Sequence, residues 1–194
     1  MKPVRIAVTG THSTGKTTLL QHLEMEFRAE GHRVARTSGN LATRAAQLGF
    51  PKLHQQTADT TQWIIAAGIC AELETALTAD VVLVDRSALD PFAYYLAASE
   101  LRGHQPDPAD LERLRTLVEQ HTSAYALLLA TVLDETIPLG THRDRDPALR
   151  RAVDTAIHQN LAEHGIAHRR LTSDTADHRA AITAALELLQ PRQA

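Results

Sequence analysis

The sequence predicts a doubly wound α/β fold, with a five-stranded parallel sheet and helices on both faces. Segments typical of buried strands alternate along the chain with longer segments typical of helices, which is the order of a parallel sheet covered by helices. The apolar run 81–84, Val-Val-Leu-Val, is the clearest buried strand. Residues 10–17, Gly-Thr-His-Ser-Thr-Gly-Lys-Thr, fit the phosphate-loop pattern G-x-x-x-x-G-K-S/T between a predicted strand and a predicted helix.

The first half of the chain leads from the phosphate loop to the central buried strand. Gly31 is suited to end the first helix, and Gly49-Phe50-Pro51 forms a turn after a mixed segment. The predicted elements of this half are strands over 4–9, 32–37 and 81–85, and helices over 16–30, about 41–48 and 57–77.

The second half continues the same alternation. The turn-rich stretch 103–108 separates two helices, a polar segment follows the fourth strand, and Gly165 stops the penultimate helix. We therefore expect one domain over residues 1–194. The predicted elements of this half are strands over 125–130 and 166–171, and helices over 88–102, 108–121, about 147–164 and 176–189.

Bulk composition excludes several classes of protein. The net charge of -3 and the pI of about 6.4 do not indicate binding to nucleic acid or to an anionic membrane. No apolar run approaches the ~20 residues of a membrane span, so we expect a cytoplasmic protein. The single cysteine, Cys70, lies in an apolar stretch, cannot form an intramolecular disulfide and is expected to be buried.

The phosphate loop has a specific physical basis. Gly10 and Gly15 let the backbone turn so that successive N–H groups point into one cavity, next to the positive end of the following helix. Lys16 is expected to reach the β- and γ-phosphates of a nucleotide, and the Thr17 hydroxyl to bind Mg²⁺. The predicted nucleotide-binding residues are His12, Ser13, Thr14, Gly15, Lys16, Thr17 and Thr18.

A second polar cluster, Asp85-Arg86-Ser87, directly follows the run 81–84. Ligands of open α/β sheets bind at the carboxyl ends of the strands, so Asp85 is expected beside the phosphate loop if its strand neighbours the first. There it would hold Mg²⁺ or accept the proton of an attacking hydroxyl, and both roles stay open. Arg86 suits phosphate or substrate binding. The structural alternative is a strand-end salt bridge, with Ser87 capping the next helix.

A polar segment over about 134–150 predicts a mobile lid. Arginines delivered from such a segment can close over a transferring phosphoryl group and exclude water. Arg143 is the leading candidate, with Arg145 and Arg150 behind it, and the sequence does not separate Arg150 from Arg151. The alternative is a solvated loop in which aspartates balance the arginines.

Together these motifs resemble the nucleoside and nucleotide kinases of the P-loop class. The chain is most similar to the family of small P-loop ATPases that includes the ribosylnicotinamide kinase domain, and the resemblance covers nearly its full length. The motifs that carry it are the phosphate loop, Thr61-Gln62-Trp63-Ile64, a glutamate later in that helix (Glu72 or Glu74), the pattern D-R-S-x-x-D-x-x-A-Y over 85–94, and the arginine-containing lid.

The resemblance implies ATP and Mg²⁺ as cofactors, with Asp85 as the catalytic base if the role of the corresponding carboxylate carries over. Lys16, Arg86 and Arg143 would neutralise charge on the transferring group, and Thr17 with Asp85 would hold the metal. Asp90 is a secondary candidate for substrate binding or for orienting its helix.

The chain departs from the family pattern in two places. The lid reads Leu-Gly-Thr-His-Arg over 139–143, without the acidic residue before glycine. The segment 38–44 lacks the carboxylate that family members carry after the second strand. Asn40 and Arg44 remain substrate candidates, and the identity of the acceptor is left open.

Four aromatic side chains are candidates to stack on a base, although each is also suited to the core. They lie in the two helices predicted to wall the acceptor pocket, and they are Trp63, Phe92, Tyr94 and Tyr95.

The leading interpretation is an ATP-dependent kinase acting on a hydroxyl of a small nucleoside-like molecule. The alternatives are a nucleoside monophosphate kinase, a kinase of a secondary metabolite, and a non-motor nucleotide-binding sensor or ATPase. The expected partner is the small substrate, a homodimer is an open alternative, and neither nucleic acid nor a membrane is expected. The preference between ATP and GTP is left open.

Overall fold

The computed structural model describes residues 2–137 and 146–190. Within these residues the chain has the predicted architecture, a single sheet of five parallel strands in the order β2-β3-β1-β4-β5. The strands are β1 Val4–Thr9, β2 Val34–Arg36, β3 Val81–Asp85, β4 Leu127–Thr131 and β5 Arg169–Leu171.

Helices connect the strands and cover the sheet. The described residues contain seven α-helices and one short 3₁₀ helix, Leu53–Gln55, between α2 and α3. The α-helices are α1 Lys16–Ala29, α2 Leu41–Gln47, α3 Ala58–Thr75, α4 Leu89–Leu101, α5 Pro108–Thr122, α6 Pro147–Glu163 and α7 Thr175–Glu187.

Strand β1 lies at the centre of the sheet, between β3 and β4. Its residue Val8 is in register with Asp85, and Thr9 is in register with Ala130. The loop after β1 therefore starts between the carboxyl ends of β3 and β4. This is the switch point at which open α/β sheets bind ligands.

Two hydrophobic cores lie on opposite faces of the sheet, because successive strand residues point to opposite sides. On one face Ile6 and Val8 are buried against α1 and α7. On the other face Ala7 lies in a larger core with α3, α4, α5 and α6. The predicted doubly wound arrangement is thus confirmed.

The edge strands are shorter than predicted. β2 and β5 are the edge strands of the sheet, so each pairs with only one other strand. Residues that extend either strand therefore have no second strand to bond their backbone groups. β4 begins at Leu127 rather than at Tyr125, which was predicted to open it. Tyr125 instead lies in the connection from α5 and donates its hydroxyl to a buried carboxylate.

Cys70 is exposed, contrary to the prediction of a buried thiol. The buried and cavity-facing side of α3 is formed by Ile64, Ile65 and Glu72, and Cys70 points away from it. A helix rich in apolar residues on several sides does not reveal in its sequence which side is covered. None of the helices in the described ranges is both long and apolar enough to cross a membrane.

Candidate functional site

The loop between β1 and α1 has three residues with positive φ. These are Gly10 at 147°, Ser13 at 60° and Gly15 at 84°. Helix α1 begins at Lys16, directly after the left-handed Gly15, so its first N–H groups lack helical acceptors. Backbone turns of this kind, followed by the unpaired N–H groups of a helix N-terminus, form a concave surface of backbone donors that is suited to bind an anion.

This loop encloses a small cavity of about 160 Å³. Its wall is formed by residues 13–18, together with Asp85 and Arg86 from the end of β3. Six of the seven predicted nucleotide-binding residues therefore lie in one wall. The seventh, His12, has its side chain elsewhere, as described below.

The Lys16 side chain lies across the loop, with only 5% of the residue exposed. Its ammonium group donates hydrogen bonds to the backbone carbonyls of Gly10, at 2.7 Å, and Thr11. It is also 3.4 Å from the Thr14 hydroxyl. The positive charge is thus held within the loop, at the point where phosphate oxygens would meet its backbone donors.

Strand β4 anchors the loop through Thr131. Its hydroxyl donates to the Thr9 carbonyl at 3.1 Å and is 2.6 Å from the Thr14 hydroxyl. A Cβ added to Gly10 would lie 1.9 Å from the same Thr131 oxygen. Only glycine fits at position 10, because both its φ and its contact with Thr131 exclude a side chain.

Asp90 anchors the loop from the opposite side. Its buried carboxylate accepts hydrogen bonds from the Thr9 hydroxyl at 2.7 Å, the Gly10 amide at 3.3 Å and the Ser87 hydroxyl at 3.1 Å. Burial raises the pKa of Asp90, and the nearby Lys16 and Arg86 charges act against this rise. Asp90 also lies in the wall of a second cavity, so positioning of the loop and contact with a ligand are both open to it.

Ser87 does not occupy the N-cap position that was predicted for it, since that position is held by Ala88. Its hydroxyl nevertheless accepts a hydrogen bond from the Leu89 N–H at 3.2 Å, while it donates to Asp90. Ser87 thus satisfies the start of α4 and orients the carboxylate that holds the phosphate loop.

Asp85 and Arg86 lie in the walls of two cavities, the one at the phosphate loop and a larger one beside it. The Asp85 backbone N–H donates a hydrogen bond to the Thr37 hydroxyl at 3.1 Å. The backbone of Gly39 approaches so closely that an added Cβ would lie 2.9 Å from the Asp85 carboxyl carbon. Arg86 has a φ of 76°, unusual for a residue with a side chain, and its guanidinium is 3.9 Å from Asp90.

The larger cavity has a volume of about 330 Å³, within the range of small-molecule sites. Most of its wall is apolar and comes from α2, the 3₁₀ helix, α3 and α4. These apolar residues are Leu41, Ala42, Leu53, Ile64, Ile65, Ile69, Ala88 and Pro91. Such a wall would hold the body of a small organic molecule, with the polar groups at its ends fixing orientation.

His12 projects from the phosphate loop into this larger cavity rather than the smaller one. Its Nδ1 is 3.1 Å from the Tyr94 hydroxyl, and the Arg86 guanidinium lies 6.0 Å from the centre of the Tyr94 ring. Tyr94 thereby connects the phosphate loop to the end of β3. The pattern of residues 10–17 predicted the loop backbone but not the direction of this side chain.

Glu72 lies at another part of the cavity wall, with 2% of the residue exposed. It accepts a hydrogen bond from the Tyr125 hydroxyl at 3.0 Å, and its other oxygen is 2.9 Å from His121 Nε2. Glu74, the alternative named with it from the sequence, is exposed on the outer side of α3. The structure therefore separates the two glutamates.

Three predicted substrate residues lie outside the wall of the larger cavity. Asn40 is exposed at the start of α2, and Arg44 is exposed one turn later. Trp63 packs against Phe50, with ring centroids 5.7 Å apart, and the Arg44 guanidinium lies 6.0 Å from its ring. Of the four aromatic candidates for stacking, Tyr94 lines the cavity, whereas Phe92 and Tyr95 are buried in the core.

The described part of the lid separates Arg150 from Arg151. Arg151 is exposed and forms a surface ion pair with Glu135 at 2.9 Å. Arg150 is 5% exposed, and among the described residues its Nε and Nη2 groups have no hydrogen-bond partner. Arg143 and Arg145 lie outside the described residues, so their predicted roles remain predictions.

The residues present are compatible with Mg²⁺. Among the described residues no group of three or more His, Cys, Asp or Glu side chains forms a ready-made metal site. Thr17 and Asp85 nevertheless line the same small cavity. One hydroxyl and one carboxylate beside a phosphate site match the way Mg²⁺ is usually held, with water and phosphate as its other ligands.

Several cavity residues were not predicted from the sequence. Gly39, Lys52 and Gln56 come from the connections before and after α2 and the 3₁₀ helix, and the Gln56 side-chain amide donates to the Pro91 carbonyl and the Thr61 hydroxyl. The only available signal was the run of turn-forming residues in these connections, which predicts a loop without its direction.

The fold and the loop define a P-loop protein with a kinase-like architecture, as predicted. A family model described as an AAA domain matches residues 5–179, and the chain belongs to that family. It is similar to the crystal structure of a NadR protein in complex with NR, with 17% identity and a TM-score of 0.68. It is also similar to a thymidylate kinase from Ehrlichia chaffeensis, with 15% identity and a TM-score of 0.65.

These similarities differ in extent. The first covers 100% of this chain but 52% of the NadR chain, so this chain spans about half the length of that protein. The second covers 95% of this chain and 99% of the thymidylate kinase. No curated protein matches the chain. The likenesses confirm the predicted fold and the predicted resemblance to P-loop nucleoside and nucleotide kinases.

Proposed function

We propose that the protein is an ATP-dependent kinase that transfers a phosphoryl group to a hydroxyl of a small nucleoside-like molecule. The observation that carries this proposal is the position of Asp85 and Arg86 in the walls of both cavities. A nucleotide on the phosphate loop and an acceptor in the larger cavity would meet at these two side chains. Kinase chemistry requires this arrangement, whereas a nucleotide sensor has no need of a second cavity at that place.

In this proposal Asp85 accepts the proton of the acceptor hydroxyl as its oxygen attacks the terminal phosphorus of ATP. The half-buried Asp85 carboxylate lines both cavities beside the charged Arg86, so a hydroxyl in the larger cavity has access to it. The Lys16 ammonium leaves its hydrogen bonds to the loop carbonyls and binds phosphate oxygens instead. Arg86 neutralises negative charge on the phosphoryl group during transfer. Apolar walls exclude water that would compete with the acceptor.

Thr17 would hold Mg²⁺ in this proposal, in the small cavity that Asp85 also lines. When bound, the ion would neutralise phosphate charge and favour transfer. A metal-shell role for Asp85 is the alternative to the role of base. The lid arginines Arg143 and Arg145 stay candidates for closing over the phosphates, and Arg150 is a candidate for the same anion.

A nucleoside is favoured over a nucleoside monophosphate as the acceptor. A second phosphate would need its own cluster of cations, and the described wall of the larger cavity contains Arg86 and the exposed Lys52. Arg86 is already close to Asp90, at 3.9 Å. Arg44, a substrate candidate from the sequence, lies beside Trp63 outside this wall.

The test is acceptor-dependent ADP formation from ATP and Mg²⁺ across nucleosides, nucleotides and related metabolites, with mass spectrometry of the products. We expect one acceptor class to gain the mass of one phosphate. Asp85→Asn should lower kcat by about 10²–10⁴-fold, the usual contribution of a general base, and leave the Kd for ATP nearly unchanged.

Two comparisons make this test specific. Lys16→Ala should lose nucleotide binding as well as turnover, because it removes the charge at the phosphate loop. If Asp85→Asn is rescued by higher Mg²⁺ concentration, Asp85 is a metal-shell ligand rather than the base. Normal turnover by Asp85→Asn, or ADP release that no acceptor changes, would contradict the proposed kinase mechanism.

A further inference from the structure

Along helix α3 the wall of the larger cavity changes from apolar to acidic. Residues Ile64, Ile65, Gly68, Ile69 and Glu72 line the cavity at helical spacing, so they lie on one face of α3. The first four are apolar or lack a side chain, and the last is a carboxylate. This wall therefore ends in a single acidic group.

The acidic end and Asp85 belong to different parts of the cavity wall. In a parallel sheet, a helix that connects two strands runs opposite to them, so the C-terminal part of α3 lies toward the amino ends of the strands. Glu72 is in the last turn of α3, whereas Asp85 is at the carboxyl end of β3. Both residues line the same cavity, which thus extends from the phosphate loop to Glu72.

The Glu72 carboxylate is held in a fixed orientation. Tyr125 donates its hydroxyl to one oxygen at 3.0 Å, and His121 Nε2 lies 2.9 Å from the other. The Ala88 N–H, at 3.4 Å, donates to the Tyr125 hydroxyl and keeps it oriented toward Glu72. Burial, together with the neighbouring Glu72, raises the pKa of Tyr125 well above its usual value, so the phenol stays a donor.

Among residues 2–137 and 146–190, the contacts of Glu72 leave two of its acceptor positions for a ligand. A carboxylate offers about four lone-pair sites, and Tyr125 and His121 use one on each oxygen. The described cavity wall has three carboxyl groups, Glu72, Asp85 and Asp90, and the first of these has no arginine or lysine among its hydrogen-bond partners. A ligand that brings hydrogen-bond donors or positive charge fits the acceptor oxygens of Glu72, and one that brings an acceptor oxygen does not.

We propose that Glu72 is the specificity-determining residue of the acceptor site, and that it receives an amino or positively charged nitrogen group at the end of the acceptor remote from the reacting hydroxyl. The inference rests on the proposed function only in placing the reacting hydroxyl at Asp85. It deepens that function by giving the acceptor class: a nucleoside-like alcohol with a donor-bearing head and an apolar body.

Two matched pairs of nucleosides test this. Adenosine is compared with purine riboside, and cytidine with the analogue that lacks the 4-amino group, as acceptors and as ligands without nucleotide. Each pair differs by one amino group. The wild-type protein should prefer the amino member at least about tenfold in kcat/KM, because a site built for a donor penalises its loss.

Glu72→Gln should remove this preference by raising KM for the amino nucleosides about 10–100-fold, with a much smaller change in kcat. Glutamine preserves the size of the side chain and can still accept from Tyr125, so the thermal midpoint Tm should stay near that of the wild type. Glu74→Gln is the matched control: it makes the same change two residues later on the exposed side of α3 and should alter neither constant.

The outcomes separate this inference from the proposed function. Equal use of both members of each pair, with Glu72→Gln unchanged, would overturn the role of Glu72 while leaving the kinase proposal intact. If no acceptor is phosphorylated, the kinase proposal fails, and the shift of Tm by each nucleoside decides the inference. A larger shift for the amino member that Glu72→Gln abolishes supports the role of Glu72, and equal shifts refute it.

Discussion

The two cavities of this protein are built in opposite ways. The small one is formed largely by one continuous segment, residues 13–18, which joins the end of the phosphate loop to the first turn of α1. The large one is formed by side chains from α2, the 3₁₀ helix, α3 and α4, most of them apolar. In the first, backbone conformation decides what binds; in the second, the identity of a few side chains does. Asp85 and Arg86, shared by both, are where the two kinds of site meet.

The largest effect expected from this contrast is at Gly10. An alanine there would place its Cβ 1.9 Å from the Thr131 hydroxyl oxygen and would also require a φ of 147°. Overpacking and the unfavourable φ together should weaken ATP binding by about 100-fold or more. Isothermal titration of ATP with Mg²⁺ measures this directly.

Gly15→Ala is the matched control, because Gly15 also has a positive φ but its nearest atom to an added Cβ is 3.9 Å away, in His178. Gly15→Ala introduces only the cost of a positive φ for a residue with a side chain, so its affinity for ATP should fall by about tenfold. Equal losses in the two variants would show that the contact with Thr131 does not shape the loop.

The same contrast explains how much could be predicted. The phosphate loop is contiguous, so eight residues and their neighbours were sufficient to predict it. Asp85 could be placed beside it, because carboxyl ends of adjacent parallel strands meet at one edge. The cavity wall could not be derived in the same way, because it depends on which side of each helix faces inward.

Helix α3 shows why. Trp63, Ile64 and Ile65 are consecutive and apolar, so the sequence pattern does not indicate which of them faces a ligand. Trp63 was the natural candidate as an aromatic, yet it packs outside the cavity against Phe50. Glu72 was named only through resemblance, because its partners Tyr125 and His121 are about fifty residues away in the chain.

A smaller effect is expected at the boundary between the cavities. Gly39→Ala would bring a Cβ to 2.9 Å from the Asp85 carboxyl carbon and must displace that side chain. A displacement of about 1 Å at a reacting group can cost about 10²-fold in rate. We therefore expect kcat to fall by up to that factor in steady-state assays, while the Kd for ATP stays within twofold or so of the wild type.

Thr43→Ala provides the comparison for Gly39→Ala, since Thr43 lines the same cavity but is not among the atoms nearest an added Cβ at Gly39. It should leave kcat unchanged. A Gly39→Ala variant with normal kcat would mean that the position of Asp85 is not critical, which would weaken its assignment as the base.

The smallest expected effect is at Arg150. It tests whether the nucleotide-binding site includes this arginine in addition to the phosphate loop. In the part of the chain that the structure describes, its Nε and Nη2 groups are buried without partners, an arrangement that costs stability unless an anion binds there. Arg150→Met should therefore raise the free energy of unfolding by about 1–3 kcal/mol, since it removes an unsatisfied buried donor. At the same time it should weaken ATP binding by about tenfold, the value of a charge-assisted hydrogen bond.

Arg151→Met is the matched control, because Arg151 is exposed and paired with Glu135 on the surface. Such a pair contributes only about 0–1 kcal/mol, and its loss should leave nucleotide affinity unchanged. Opposite signs of stability and affinity in Arg150→Met would indicate that the arginine is retained for a ligand rather than for the fold. A variant that loses stability and keeps its affinity would instead make Arg150 a structural residue and confine anion binding to the phosphate loop.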